Sequence, residues 1–509
     1  MSIHVMPNRG ASSFSRLLAA AIFALSLSAT AQTASAQGRA TVTVGKPFLT
    51  NSADPTKASN SWALTSHGVA QNLYTIDREG RMVPQLAESV TRTGDNVWQI
   101  RLRQDVRFSD GAPMTAAEVV TGLERTLKLL PPARASVGAA MLKAIDGRTI
   151  EIRPERPVAV MESVLAEWAL VVYRVLGEDA FAFTGPYRIV SVKANNELAL
   201  EPNPHYPGAD NRPAIRIRYF ADTNPMALAL EAGELDLAFQ IPAETLGRLR
   251  ARGEISTTTI LGGYQYYVIP NTARPPLDDA RVRRAIQAAM DPSVMVRAAR
   301  GGEVSKGFFP PPYPFSLNET YQHDPALAVR LLDEAGWRPG ADGIRAKAGK
   351  RLSFSLVSLS SWPDMQVYSP IVRSQLAKVG IDIVPRVVEN FLAVATPGDF
   401  DLLFRVTHGA PAGDPIFQLN DALRSTGSRN FGKYKSAELD RVLIELEAAS
   451  ALDRRWQLAR EAQRMVRAEA PIIPLAVTPF HIGTSKRLKG YEVFGADYYI
   501  LRDDLVVSD

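Results

Sequence analysis

The histidines are the first residues to consider for chemistry, because an imidazole binds metal ions and acts as a general base. Five of the six lie beyond residue 36: His67, His205, His323, His408 and His481. None of these is paired at the three- or four-residue spacing of ligands on one helix, and no HExxH segment occurs. The chain contains no cysteine, which excludes thiolate ligands and a thiol nucleophile. The sequence therefore predicts neither a metal site nor a resident cofactor.

The short motifs of nucleotide-binding and hydrolytic enzymes are also absent. The chain has no GxGxxG after a strand pattern, no GxxxxGK[ST] loop and no GxSxG nucleophile elbow. Asp278 and Asp279 stand where a helix pattern begins, so capping explains this acidic pair better than acid–base catalysis. We expect a protein without enzymatic activity. A periplasmic hydrolase whose catalytic groups come from distant parts of the chain is the alternative.

The N-terminus has the layout of a secretory signal peptide. Arg9 and Arg16 are its charged residues, an apolar run covers 17–29, and 34–36 is a small-residue cleavage site. This run is shorter than the roughly 20 residues that a membrane-spanning helix needs. We therefore expect residues 1–36 to be removed, leaving a secreted chain with no cysteine to carry a lipid anchor.

Composition and patterning favour a large α/β protein. The 509 residues are 46% hydrophobic and 22% charged, with a formal net charge of +5 and well-mixed signs, which argues against a nucleic-acid tail. At this length a single core stops growing, so two or more lobes are expected. Strand patterns such as 98–103 alternate with helix patterns such as those after Thr115, Asp324 and Ser436. Thr115 and Glu118 have the spacing of a capping box.

Several long stretches resemble solute-binding protein family 5, the periplasmic binding proteins of oligopeptide, dipeptide and nickel importers. The first three are QNLY at 71–74, GRMVPQLAES at 80–89 and IRLRQDVRFSDGAPMTAAEVV at 100–120. Further along, in the family's order, come TGPYRI at 184–189, EPNPHY at 201–206, LEAGELD at 230–236, PLDDARVRRAI at 276–286 and APIIPL at 470–475. Together they cover almost all of residues 41–495.

The resemblance implies a two-lobed α/β fold of the type II periplasmic-binding-protein kind, with a hinge and a ligand cleft between the lobes. Lobe I is expected to comprise 37–268 and 476–509, and lobe II 269–475. The implied function is to capture a small peptide or peptide-like solute in the periplasm. The protein then delivers it, as a monomer, to the permease subunits of an ABC importer in the inner membrane. No nucleic-acid partner is expected.

The resemblance also directs attention to the stretch 404–415. Peptide binders of the family hold the ligand's amine with an aspartate shortly before a [D/E]P step, after a tryptophan. Aligned on Asp414, the amine position here is Pro411 and the tryptophan position is His408. Peptide recognition therefore departs from the family pattern. The alternative within the family is a nickel or metallophore complex, and an opine-like compound is also open.

We predict six ligand-contacting residues: His408, Trp62, Trp168, Tyr173, Arg174 and Asp414. His408 is predicted to lie in a loop after a strand at 401–405, where its imidazole stacks on the ligand, accepts a hydrogen bond or pairs with a carboxylate. For the aromatic residues the alternative is core packing, and for Arg174 it is a surface salt bridge. Arg134 is a further basic candidate in lobe I.

Overall fold

The computed structural model describes residues 1–2, 40–78, 81–134, 137–311, 313–319, 323–360, 362–410, 412–488, 490–493 and 497–507. Beyond its first two residues, the predicted signal peptide lies outside the described residues. By its contacts the chain divides into a segment of residues 1–41 and a compact unit of residues 42–509. No described helix is both long enough and apolar enough to cross a membrane.

Helices and strands alternate along the compact unit, as the sequence patterns predict. The helices are α1 (Asn60–Ser66), α2 (Ala116–Leu129), α3 (Met161–Leu165), α4 (Thr223–Glu231), α5 (Leu246–Arg250), α6 (Ala280–Ala289), α7 (Ser293–Ala298), α8 (Pro325–Glu334), α9 (Pro363–Ala377), α10 (Phe391–Ala395), α11 (Ile416–Leu423), α12 (Ala437–Ala448) and α13 (Leu452–Glu469). Short 3-10 helices cover Pro131–Arg134, Ala209–Asn211, Ala243–Thr245 and Lys486–Leu488.

The strands are β1 (Thr41–Lys46), β2 (Tyr74–Ile76), β3 (Met82–Pro84), β4 (Ala87–Gly94), β5 (Val97–Leu102), β6 (Met141–Ala144), β7 (Thr149–Arg153), β8 (Tyr173–Val175), β9 (Phe181–Phe183), β10 (Tyr187–Lys193), β11 (Glu197–Pro202), β12 (Ala214–Tyr219), β13 (Leu237–Phe239), β14 (Ile255–Pro270), β15 (Glu303–Val304), β16 (Arg338–Pro339), β17 (Arg345–Lys347), β18 (Lys350–Arg351), β19 (Ser353–Leu359), β20 (Asp382–Val388), β21 (Leu402–His408) and β22 (Ile473–Ser485). The alternation predicted at 98–103 is confirmed, because Trp98, Ile100 and Leu102 of β5 are buried.

One large sheet passes through both predicted lobes. Its strand order is β10-β11-β12-β1-β13-β22-β14-β21-β19-β20, with β15 paired to β22. The two longest strands, β14 and β22, pair with each other and connect the two halves. Their register shifts between Leu261 and Gln265, where Gly263 has a φ of +67° that glycine tolerates and other residues rarely adopt. This irregularity lies a few residues before the predicted boundary between the lobes at 268/269.

The hydrophobic clusters change along the same two strands. Two clusters use residues from Tyr266 to Ala476, which is predicted lobe II extended by a few residues at each end. The other clusters of the described chain use residues up to Leu249 and from Phe480 onwards, with Tyr264 packed against one of them. The predicted boundaries at 268/269 and 475/476 remain a prediction, to which this change in packing lends support.

The helix starts follow the predicted caps with one exception. Asp324 accepts a hydrogen bond from the Leu327 N–H at 2.8 Å, and Asp279 accepts one from the Arg281 N–H at 2.8 Å. Thr115 accepts from the Glu118 N–H at 3.3 Å, which is one half of the predicted capping box. The other half is wrong, because the Glu118 carboxylate binds the Arg174 guanidinium instead.

Candidate functional site

A cavity of about 490 Å³ lies between two segments that are distant in the sequence. Residues 131–167 form one wall, through the 3-10 helix Pro131–Arg134 and helix α3. Residues 414–429 form the other, with helix α11 and side chains from α12 and α13 behind it. The first wall belongs to predicted lobe I and the second to predicted lobe II. A cavity of this volume accommodates a small organic molecule.

Three of the four carboxylates that line the described cavity are paired with arginines. Their contacts are Asp414 with Arg455 at 2.7 Å, Glu447 with Arg424 at 2.9 Å, and Asp421 with Arg429 at 3.3 Å. The fourth is Glu167, which has no hydrogen bond or ion pair from its side chain to any described residue. Glu167 is nevertheless only 8% exposed. A buried carboxylate without a partner is costly unless it binds a proton or a cation.

The Glu167 backbone is held firmly at the edge of the cavity. Its carbonyl accepts hydrogen bonds from Asn72 Nδ2 at 2.7 Å and from the Leu170 N–H at 2.9 Å. Its own N–H donates to the Val164 carbonyl at 3.1 Å, continuing the last turn of α3. These bonds use only main-chain atoms of Glu167, so none of them satisfies the carboxylate.

Burial dominates the electrostatics of Glu167. Desolvation, with a smaller contribution from the Asp414 carboxylate on the other wall, raises the pKa of Glu167 to about 8. At neutral pH the empty site therefore holds mainly the protonated form. A cation that entered the cavity beside Glu167 would displace this proton and leave an ion pair.

Asp414, one of the predicted ligand residues, lies in the cavity wall but is occupied by the protein itself. Its two carboxylate oxygens receive Arg455 Nη2 at 2.7 and 2.8 Å, and Arg455 Nε donates to one of them at 3.0 Å. The Ile416 N–H donates to the same carboxylate at 2.9 Å, at the start of α11. Both charged side chains are almost completely buried. Asp414 therefore fixes α13 to the start of α11.

Two other predicted residues, Trp62 and His408, meet around Tyr498. The Tyr498 ring is 6.5 Å from the Trp62 ring and 5.3 Å from the His408 ring, both in edge-to-face geometry. Tyr264 packs edge-on against the other side of His408, with ring centroids 5.0 Å apart. These four residues form what we call the aromatic cluster. Edge-to-face packing of this kind is favourable for aromatic rings.

His408 is part of a strand and not of the predicted loop. It is the last residue of β21 and stands opposite Tyr264 in the ladder with β14. It is 8% exposed, and its Nδ1 is buried without a hydrogen bond to any described residue. Burial lowers the pKa of His408 to about 3, so the imidazole is neutral at pH 7. Of its three predicted roles, pairing with a carboxylate as a cation is therefore disfavoured.

A second buried carboxylate, Asp497, lies next to the aromatic cluster. The Tyr264 hydroxyl donates to Asp497 at 3.1 Å, and burial raises the pKa of Asp497 to about 6. Burial, then the charges of Asp497 and Glu167, raise the pKa of Tyr498 well above its usual range. Tyr498 is thus within electrostatic range of both carboxylates, although no residue of the aromatic cluster is in the cavity lining.

The remaining predicted residues have structural partners elsewhere. Tyr173 is completely buried, and its hydroxyl contacts Thr126 Oγ1 at 3.0 Å. Arg174 forms ion pairs with Asp110 and Glu118, the surface salt bridges that were its alternative. Their roles in ligand binding remain predictions that no contact supports.

Trp168 and Arg134 stand closer to the cavity. Trp168 packs against the core of predicted lobe I, immediately after Glu167. Arg134 is exposed and lines the cavity. Pro411, which occupies the family's amine-binding position, lies outside the described residues.

Sequence reasoning missed Glu167, Asp497, Tyr264 and Tyr498. For Glu167 a signal exists, since it is the second of only two charged residues in the largely apolar run 157–173. An isolated acid in such a run must be buried, paired or at a site. In the described part of the chain, no group of three or more histidine and acidic side chains is placed to hold a metal ion.

Comparisons with known proteins find relatives along most of the chain. The family model for bacterial extracellular solute-binding proteins, family 5 Middle, matches residues 81–430. A glutathione-binding protein of Escherichia coli (strain K12) is 25% identical over 478 residues, which cover 88% of this chain and 91% of that protein.

Solved structures share the two-lobed fold. A nickel ABC transporter protein from Bacillus halodurans superposes with a TM-score of 0.76 at 25% identity, covering 92% of this chain and 100% of that one. NikA from Brucella suis, in complex with Fe(III)-EDTA, superposes with a TM-score of 0.83 at 23% identity, with the same coverage.

Proposed function

The chain belongs to family 5 of the bacterial extracellular solute-binding proteins, and we propose that it captures a small peptide or peptide-like solute in the cavity between its lobes. Proteins of this family are the solute-binding components of ABC importers. The observation that carries the ligand proposal is the set of charged side chains that line the 490 Å³ cavity beside its apolar residues. The lining combines a buried carboxylate without a described partner and an exposed arginine, which suit a ligand with charged groups.

The glutathione-binding relative supports the same class of ligand. Glutathione is a tripeptide, small enough for a cavity of this volume, and carries one amine and two carboxylates. At 25% identity the relative does not identify the ligand of this chain. It makes reduced glutathione the first probe to test.

The same proposal includes where the protein acts and with which partner. The mature chain would act in the periplasm after removal of residues 1–36, as a monomer that docks on the permease subunits of the importer. Bending at Gly263 in β14 would open the two walls of the cavity, and a ligand that touches both walls would favour the closed form.

The test is calorimetry on residues 37–509, unfolded and refolded to remove any solute that copurified. Reduced glutathione, trialanine and Ni(L-His)₂ are titrated separately, and each is recovered and weighed by mass spectrometry. We expect a peptide probe to bind with micromolar or tighter affinity and to be recovered unchanged. Cleavage of the probe would establish the hydrolase alternative, and binding of the nickel complex alone would exclude the peptide proposal.

The position of the site is tested by filling the cavity. Ala159 lines it and is half-buried, so Ala159→Trp should abolish binding without unfolding the protein. The matched control is Ala180→Trp at an exposed position that does not line the cavity. Equal affinity of the two variants would mean that the ligand binds elsewhere.

A metal chelate is the second candidate, and His408 favours it. A neutral imidazole with an unpartnered buried Nδ1, flanked by aromatic rings, has the chemistry to complete the coordination of a chelate that arrives with its own ligands. Calorimetry with nickel alone and with nickel plus free histidine separates this case from the first. Heat that appears only with histidine present, and disappears in His408→Phe, would support it; no heat in either titration would remove it.

A further inference from the structure

Glu167 stands apart from the other acidic side chains around the cavity. Asp414, Asp421 and Glu447 each have an arginine within 3.3 Å, so their charges are compensated within the protein. Glu167 has neither an ion pair nor a side-chain hydrogen bond among the described residues, although it is more than nine-tenths buried. Glu167 is one of the residues that line the cavity. The protein thus holds one uncompensated acid at the place where a ligand would lie.

The surroundings of Glu167 favour a cation as its partner. The Asp414 carboxylate adds negative potential from the opposite wall, and the Tyr498 hydroxyl lies within electrostatic range of Glu167. Arg455, the nearest arginine to Asp414, is already occupied by that residue and by the carbonyls of Leu446 and Ala449. Among the described residues, no arginine or lysine forms an ion pair with Glu167, and no cationic group is among the causes that shift its pKa.

We propose that Glu167, from lobe I, binds the ammonium group of the ligand. This inference rests on the proposed function and deepens it, because it requires a solute with a free amine. The amine would donate hydrogen bonds to the Glu167 carboxylate while the Asp414–Arg455 pair stays intact. Recognition of the amine would thereby come from the opposite lobe to the Pro411 position at which the sequence pattern led us to look for it.

Proton release on binding distinguishes an ammonium group from the other groups that a carboxyl can bind. A protonated Glu167 can donate a single hydrogen bond to a neutral acceptor, and such binding would release no proton. An ammonium group is bound by the ionised carboxylate, and charge-assisted hydrogen bonds of this kind are about twice as strong as neutral ones. Proton release on binding is consequently a readout that a merely structural glutamate would not produce.

The test compares free and blocked amines on the refolded mature chain. Reduced glutathione and trialanine are titrated alongside their N-acetylated forms, into wild type, Glu167→Gln and Glu162→Gln. Glu162 is the matched control, since it lies on α3, shortly before Glu167 in the chain, but does not line the cavity. Circular dichroism and thermal melting establish that each variant is folded.

We expect the N-acetylated probes to bind wild type about 10- to 100-fold more weakly than the free amines, the worth of a charge-assisted hydrogen bond. Glu167→Gln should weaken the free amines by the same factor and leave the blocked ones unchanged, while Glu162→Gln behaves as wild type. Titrations in buffers of different ionisation enthalpy should show release of about 0.9 proton at pH 7 from wild type and Glu162→Gln but not from Glu167→Gln, given a pKa of about 8.

Two results would overturn the inference in distinguishable ways. If free and blocked amines bind equally, or if Glu167→Gln keeps full affinity, Glu167 does not bind the amine, although the proposed function stands. If wild type binds neither peptide probe but binds Ni(L-His)₂, the peptide proposal fails, and the inference about the amine fails with it.

Discussion

Replacing Glu167 with glutamine should stabilise the ligand-free protein, and the gain should grow with pH. The carboxyl of Glu167 has a pKa of about 8 in the folded chain against an ordinary value of 4.5. Between these two values the folded state binds more protons than the unfolded state. The stability of the wild type therefore falls as the pH rises from 4.5 to 8, and it is fully retained only below 4.5.

The size of the effect follows from the difference between the two pKa values. Each unit of difference corresponds to about 1.4 kcal/mol, so the cost to the wild type is about 1 kcal/mol at pH 5 and about 3 kcal/mol at pH 7. Glutamine has nearly the same shape as a protonated glutamate and no charge to bury. We therefore expect Glu167→Gln to exceed the wild type in free energy of unfolding by up to these amounts.

The assay is guanidinium denaturation of the ligand-free mature chain at pH 5, 6, 7 and 8. Glu162→Gln is the control and should differ from wild type by a constant small amount. A Glu167→Gln variant that is less stable than wild type at pH 7, or whose difference does not change with pH, would show that Glu167 is a satisfied structural residue. Combined with a loss of affinity, a stability gain would identify a residue kept for binding at the expense of stability.

Three further changes test other parts of the site. Arg455→Met should destabilise the protein by about 3–5 kcal/mol, since it leaves the Asp414 carboxylate buried and unpaired. Denaturation should show a smaller loss of stability in the double variant that also carries Asp414→Asn. An equal loss in the single and double variants would mean that the pair contributes little. His408→Phe should make the protein more resistant to acid. The wild-type imidazole has a pKa of about 3 when folded, so its contribution to the free energy of unfolding is complete above about pH 6.5 and falls below that pH, by about 2 kcal/mol at pH 5. If the melting temperatures of the two proteins change in parallel from pH 7 to 5, this reasoning is refuted. Gly263→Ala should lower the melting temperature, because an L-residue at φ +67° is strained and its Cβ would lie 2.7 Å from His408 Nε2. The control is Gly247→Ala, whose added Cβ would have no neighbour within 4 Å and which should not lower the melting temperature.

Local patterns in the sequence predicted local structure well. The alternation around β5 and the caps at Asp279, Asp324 and Ser436 depend on residues within a few positions of one another. The failure at Glu118 has the opposite origin, since its carboxylate is bound by Arg174, 56 residues away. A capping box cannot be predicted in full when a distant cation competes for the acid.

For the site residues, too, the sequence predicted what depends on local pattern and missed what depends on distant contacts. The sequence singled out Asp414, which lines the cavity, and His408 and Trp62, which lie in the aromatic cluster and not in the cavity lining. It did not single out Glu167, because the reason for its importance is the lack of a partner. Whether an acid is paired depends on which arginines the fold brings near it, as Arg455 is brought to Asp414 across 41 positions. No pattern of spacing contains that information.

The central claim is that the cavity between the walls at 131–167 and 414–429 holds an amine-bearing solute. A crystal structure of the mature chain with the probe that binds in calorimetry tests it most directly. We predict the probe in the cavity, chemically intact, with its amine nitrogen about 2.7–3.2 Å from a Glu167 carboxylate oxygen. Density for the probe outside the cavity, or a probe in the cavity whose amine points away from Glu167 into solvent, would contradict the account.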